Sequence, residues 1–162
     1  MIELEPNESG KYFVLSKIYE DSGRYEEAEG TLNQAKDANP NDPAVYLQLA
    51  GFYNRLGEFE LTIEALTERA MREETNPEAY YTIATFYWEK AFRDFRLTDE
   101  EKLDYIVKGL EAVDKAIDLK DDYMEALTYK NILLRMEANL EEDQDRVQAL
   151  IAEADELRDR AE

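Results

Sequence analysis

Cysteine and histidine are both missing from this 162-residue chain. Without Cys there is no disulfide, no thiolate metal ligand and no thiol nucleophile, and the redox compartment is left open. Without His the commonest general base and the commonest metal ligand are also gone. Catalysis would fall to carboxylates or Lys, and no pair of these stands at helical spacing on an apolar face. The expectation is a protein that is not an enzyme and uses no cofactor and no metal. Acid clusters such as Glu26, Glu27 and Glu29 raise calcium as a question, but no Asp-x-Asp-x-Asp-Gly loop occurs, and on helices such runs are solvated faces.

Positive charge is scarce as well: 19 Lys and Arg stand against 39 Asp and Glu, a formal net charge of -20. Phosphate binding draws on clustered Lys and Arg, so nucleic acid is excluded as a partner and basic or uncharged partners are favoured. No run approaches the ~18 apolar residues of a membrane helix, so no membrane insertion is expected. The first residues, MIELEPNESG, lack the basic and apolar regions of a secretory leader, which points to a cytoplasmic protein. The alternative is an exported domain whose leader was removed before Met1.

What is present is helical period. The 4 Pro and 6 Gly are few, and almost all fall between segments with apolar residues three and four apart, an all-α pattern. In NDPAVYLQLAGFYNRLGEFE, Asp42 can cap the first amides, Pro43 suits the first helical position, and Gly57 can adopt the left-handed conformation that ends a helix. Asn76 and Pro77 repeat that start 34 residues later. On this period Tyr12, Leu15, Ser16, Tyr19, Tyr25, Ala28, Leu32 and Ala35 align with Tyr46, Leu49, Ala50, Tyr53, Phe59, Thr62, Leu66 and Arg69, and Arg69 alone departs in character. A third copy begins with Tyr80, Ile83, Ala84 and Tyr87 and, after an insertion of 13 residues, resumes with Ile106, Gly109, Val113 and Ala116. A fourth, Leu127 to Leu150, keeps the spacing but not the small residues.

A helix-turn-helix period of this length, with a large residue, a small one and a Tyr in the first helix and Ala in the second, resembles the tetratricopeptide repeat family. The stretches YFVLSKIYEDSGRYEEAEGTLNQAKDANP and VYLQLAGFYNRLGEFELTIEAL carry the match, and YMEALTYKNILLR is similar to segments of bacterial members. The resemblance implies one domain over 1–162, with repeats at 9–42, 43–76, 77–121 and a degenerate, capping repeat at 122–162. It implies about four antiparallel helix pairs in a right-handed superhelical array, the third pair elongated, whose first helices line a concave groove that holds peptide segments of partner proteins. The groove positions would include Phe13, Lys17, Leu47, Asn54, Tyr81, Thr85, Trp88 and Arg135. A family branch that clamps a free carboxylate uses Lys, Asn, Asn, Lys and Arg; here those positions hold Phe13, Lys17, Gln48, Glu78 and Thr82, so no clamp is expected.

The stretch YYTIATFYWEKAFRDFRLTDEEK crowds seven rings into its first sixteen positions. At 100° per residue Tyr80, Ala84, Tyr87 and Ala91 share one face, the packed one, while Tyr81, Thr85, Trp88, Phe92 and Phe95 form a second stripe. That second stripe is core under a neighbouring helix, a ligand groove, or a surface for self-association. Phe92 and Phe95 are expected to pack on Leu103 and Ile106 of a lengthened partner helix, with the 13 extra residues shared as roughly two turns to each helix. Thr98 and Glu101 form a capping box, and Lys90, Arg93 and Arg96 make a basic spot that pairs with neighbouring acids. The functional expectation is therefore a protein-interaction module that binds an apolar, somewhat basic peptide or helix. The alternative is a structural subunit, such as a homodimer, that self-associates through the aromatic groove.

Overall fold

The computed structural model describes residues 8–161. It places eight helices and, among the described residues, no strand: α1 (Ser9–Asp21), α2 (Tyr25–Ala38), α3 (Pro43–Leu56), α4 (Phe59–Arg72), α5 (Pro77–Arg93), α6 (Asp99–Leu119), α7 (Met124–Leu140) and α8 (Gln144–Ala161). Their ends are set by local chemistry. Asp42 accepts a hydrogen bond from the Ala44 amide at 3.0 Å and Asn76 one from the Glu78 amide at 3.0 Å, each ahead of a Pro in the first turn. Gly57, at φ 79°, ends α3 in the left-handed region that a side chain would strain. Thr98 and Glu101 exchange bonds as a capping box at the start of α6.

The chain divides after Glu74 into two compact units. In the first, α1 packs on α2 and α3 on α4, with α2 against α3 joining the hairpins. Ser16 and Ala50 are buried at the small positions of their repeats, which lets the paired helices approach, and Leu32, Leu49, Phe52 and Leu66 fill the space around them. Arg69, the residue out of character in the repeat, is also buried, with its guanidinium paired to Glu73 at 2.6 Å.

In the second unit α5 packs on α6 and α7 on α8, with α6 and α5 both touching α7. Ala84, Ala91, Ile106, Val113 and Leu133 form one core, and Leu127, Leu134, Leu150 and Leu157 another. Gly109 lies where a side chain would crowd: a Cβ there would stand 3.2 Å from Leu133 Cδ1 and 3.4 Å from Tyr87 Cβ. The insertion is shared unevenly, which corrects the expected two turns apiece. Helix α5 has 17 residues against 14 in α3, whereas α6 has 21 against 14 in α4. Asp94 explains the early stop of α5. Its carboxylate takes Lys90 Nζ at 3.0 Å, the Arg96 amide at 3.2 Å and the Arg96 guanidinium at 2.8 Å, folding the chain into a turn before the Thr98 cap.

Candidate functional site

The second stripe of α5 meets aromatic residues of the α7 region. Tyr81 lies 5.3 Å, ring centre to ring centre, from both Tyr123, just ahead of α7, and Tyr129 on α7. Trp88 meets Tyr129 edge-on at 5.4 Å and stacks on Phe92 at 5.4 Å with the planes 9° apart. The result is one run of rings, Tyr123, Tyr81, Tyr129, Trp88 and Phe92. It crosses two helices, and each ring pair adds about 0.5 to 1.5 kcal/mol beyond its buried area. Tyr81, Trp88 and Tyr129 are half-buried, each with one side against the α5–α6–α7 core. The Trp88 indole N–H is fully enclosed and has no acceptor, the condition that costs a buried donor about 1 to 3 kcal/mol.

Phe92 and Phe95 do not pack on α6 as expected. They are 65% and 90% exposed, because the turn held by Asp94 carries Phe95 off the helix and the stack on Trp88 holds Phe92 along α5. Ile106 is packed instead into the core beneath it, and Leu103 stays exposed.

Carboxylates stand near this face, and one cation, Lys120, lies 5.2 Å over the Tyr123 ring. Burial pushes the Tyr81 phenol up to about 12, helped by Tyr129, Tyr123 and the nearby Glu125, and burial with Glu125 and Glu78 raises Tyr123 too. The cations near the hairpin turn are taken up locally. Arg93 pairs with Glu89 at 2.9 Å, and Arg96 and Lys90 both bind Asp94, whose carboxyl they hold well below the usual carboxylate range. Among the described residues no group of three or more Asp and Glu is placed to hold a metal, and no helix is long and apolar enough to cross a membrane.

Similarity to known proteins concerns the fold. The tetratricopeptide repeat pattern matches residues 12–52. The crystal structure of MamA protein superposes with a TM-score of 0.62 at 19% identity, over 96% of this chain and 75% of that one. A thermophilic TPR protein of Thermus thermophilus, TTC0263, gives 0.56 at 19% identity, over 94% and 75%. The chain has the tetratricopeptide-repeat fold. The first tetratricopeptide repeat domain of Spaghetti (RPAP3), bound to an HSP90 peptide SRMEEVD, superposes with a TM-score of 0.55 at 17% identity, over 86% and 98%. No curated protein matches the chain by sequence.

The eight residues expected to line a groove fall four in each unit. In the first, on α1 and α3, Phe13 is half-buried while Leu47 and Asn54 are exposed. Lys17 is exposed and pairs with Asp21 at 2.8 Å. Beside them Arg55 of α3 clasps Glu20 of α1 through two bonds of 2.6 and 2.9 Å, and that hydrogen bonding keeps the Glu20 carboxyl below its ordinary range. In the second unit Tyr81, Thr85 and Trp88 lie together on α5, the Thr85 hydroxyl donating to the Thr82 carbonyl at 2.7 Å. Arg135 is engaged elsewhere, bonded to Asn131 and, at 2.6 Å, to Asp155 of α8. Tyr123 and Tyr129 complete the aromatic face and are not among the residues the sequence pattern singles out. Their signal is faint, since both fall in the fourth copy, whose pattern is most eroded.

Proposed function

We propose that the protein is a non-catalytic interaction module that takes a peptide or helix of a partner on the aromatic face of α5 and α7. The run Tyr123, Tyr81, Tyr129, Trp88 and Phe92 carries this reading. It joins α5 to α7, is only half-buried, and ends on a largely exposed Phe. Rigid aromatic side chains give contact area at little entropic cost, and surrounding carboxylates select for a ligand that adds Lys or Arg to apolar residues. The domain of RPAP3 holds an acidic peptide, but the clamp positions for a carboxylate are occupied here by Phe13, Lys17, Gln48, Glu78 and Thr82. A basic peptide therefore suits this face better. The second reading, self-association through the same rings, rests on the exposure of Phe92.

The test is a display selection of random peptides on the whole protein, followed by titration of the selected peptides with Trp88 fluorescence, Trp88 being the one Trp of the chain. Selected sequences should combine apolar and basic residues, and Trp88→Ala and Tyr81→Ala should each weaken them about tenfold or more. Selection of acidic peptides, or binding indifferent to both substitutions, would place the interaction elsewhere. A stable dimer by light scattering that Phe92→Ser dissolves would favour self-association instead.

A further inference from the structure

The first unit contains a cleft that the aromatic face does not involve. Its floor is Tyr46, Leu49 and Tyr53 of α3; Leu61, Glu64 and Glu68 of α4 form one wall, and Lys36 of α2 stands on the other. Its volume is about 100 Å³, enough for the end of one side chain and far short of a drug-sized pocket. We propose that this cleft is a second binding site, specific for an alkylammonium group such as the side chain of a partner's lysine.

The protein already keeps a cation against one of the cleft's tyrosines, although Arg72 itself does not line the cleft. At one end the Arg72 guanidinium sits 3.8 Å over the Tyr46 ring and bonds Glu68 at 2.7 Å, so a ring face and a carboxylate from α4 together hold a positive charge. At the other end the same two elements recur. Tyr53 offers a ring and Glu64, one turn before Glu68 on α4, offers a carboxylate. The Tyr53 hydroxyl donates to Glu29 of α2 at 2.8 Å, which adds a further negative charge behind the ring. Glu64 and Glu68 line the cleft with one cation, Lys36; Asp37 joins them in the adjoining hollow, Glu29 is held at the Tyr53 hydroxyl, and Arg72 is engaged with Glu68. Leu49 and Leu61 give an apolar sleeve for the methylene stem, the arrangement in which a Lys buries its chain and keeps its charge at a polar end. Lys36 is the internal competitor for these carboxylates, and a ligand ammonium has to displace its field.

The experiment titrates the whole protein with n-butylammonium chloride and, separately, with n-butanol, at constant ionic strength, following Tyr ring and Leu methyl signals by NMR. The expected result is a saturable shift at Tyr53, Leu49 and Leu61 with the ammonium and none with the alcohol. Glu64→Gln should weaken the ammonium and Lys36→Gln strengthen it, each by about two- to fivefold. Both positions lie on the cleft walls and outside the core, so the variants fold. Equal shifts with the alcohol would reduce the cleft to an apolar dent. No saturable shift with the ammonium, or affinities unmoved by both substitutions, would overturn the proposal, and neither outcome touches the aromatic face of the other unit.

Discussion

Two tyrosines show how the environment of a single side chain becomes a property of the whole molecule. Tyr53 is pushed up to about 12 by burial and by its bond to Glu29, and Tyr81 to about 12 by burial and neighbouring rings, from an ordinary value of 10.0. Both phenols stay protonated in the fold at a pH where they ionise in the unfolded chain. Their contribution to stability is therefore complete below pH 10 and is lost as pH rises toward about 12. A spectroscopic titration of the phenols should show a late fraction that shrinks in Tyr53→Phe and in Tyr81→Phe. A late fraction of unchanged size in both variants would mean these are not the protected rings. Lys130 behaves in the same sense: burial opposes its charge, but Glu153 at 2.8 Å and Asp114 at 2.9 Å outweigh it and hold the ammonium above its ordinary range.

Among the elements, helix starts were the most legible part of the sequence and the coverage of helix faces the least. Asp42, Asn76 and Thr98 announce α3, α5 and α6 because capping is a bond between residues two or three apart, which spacing alone reveals. The stripe of Tyr81, Thr85, Trp88 and Phe92 was visible for the same reason. What lies over it was not, since periodicity gives a direction and says nothing of the residue opposite. Hence the pattern does not reveal Tyr123 and Tyr129, nor that the turn at Asp94 carries Phe95 off the helix while Phe92 stacks on Trp88 instead of packing on α6. Close approach between helices follows the repeat more faithfully. Gly109→Val would drive a side chain into Leu133 and Tyr87 and should cost about 1 to 3 kcal/mol in thermal unfolding. Phe95→Ser, on the exposed turn, should leave the melting temperature where it is. A large loss from the second, or none from the first, would show that the α5–α6–α7 packing is described wrongly.

At the scale of the molecule the charge of -20 dominates encounter with partners. A basic peptide bound to the α5–α7 face should associate more slowly as salt rises, with dissociation changing less, because steering acts at distances that ions screen within about 10 Å at 0.1 M. Stopped-flow measurement of the association rate checks this, and a rate insensitive to salt would remove charge from recognition. The fold itself is that of tetratricopeptide-repeat proteins, and its period explains why so much of it could be read ahead. Each helix pair repeats the same solution to the same packing problem.

The pattern of contacts also bears on how the chain comes to be folded during synthesis. Within each unit a helix packs chiefly on the one before or after it, and the furthest partner is two helices away. Short loops make closure cheap and contacts local, so folding belongs on the microsecond-to-millisecond scale. Every partner that α1 to α4 have within the first unit has been translated by Arg72, the last residue of α4, while α7 and α8 are still to come. The amino-terminal unit should therefore become resistant to protease on the ribosome before the aromatic face of α5 and α7 exists. Ribosome-stalled chains of increasing length, probed by brief proteolysis, would show protection of residues 9–72 first; protection that appeared only with the full chain would contradict this order.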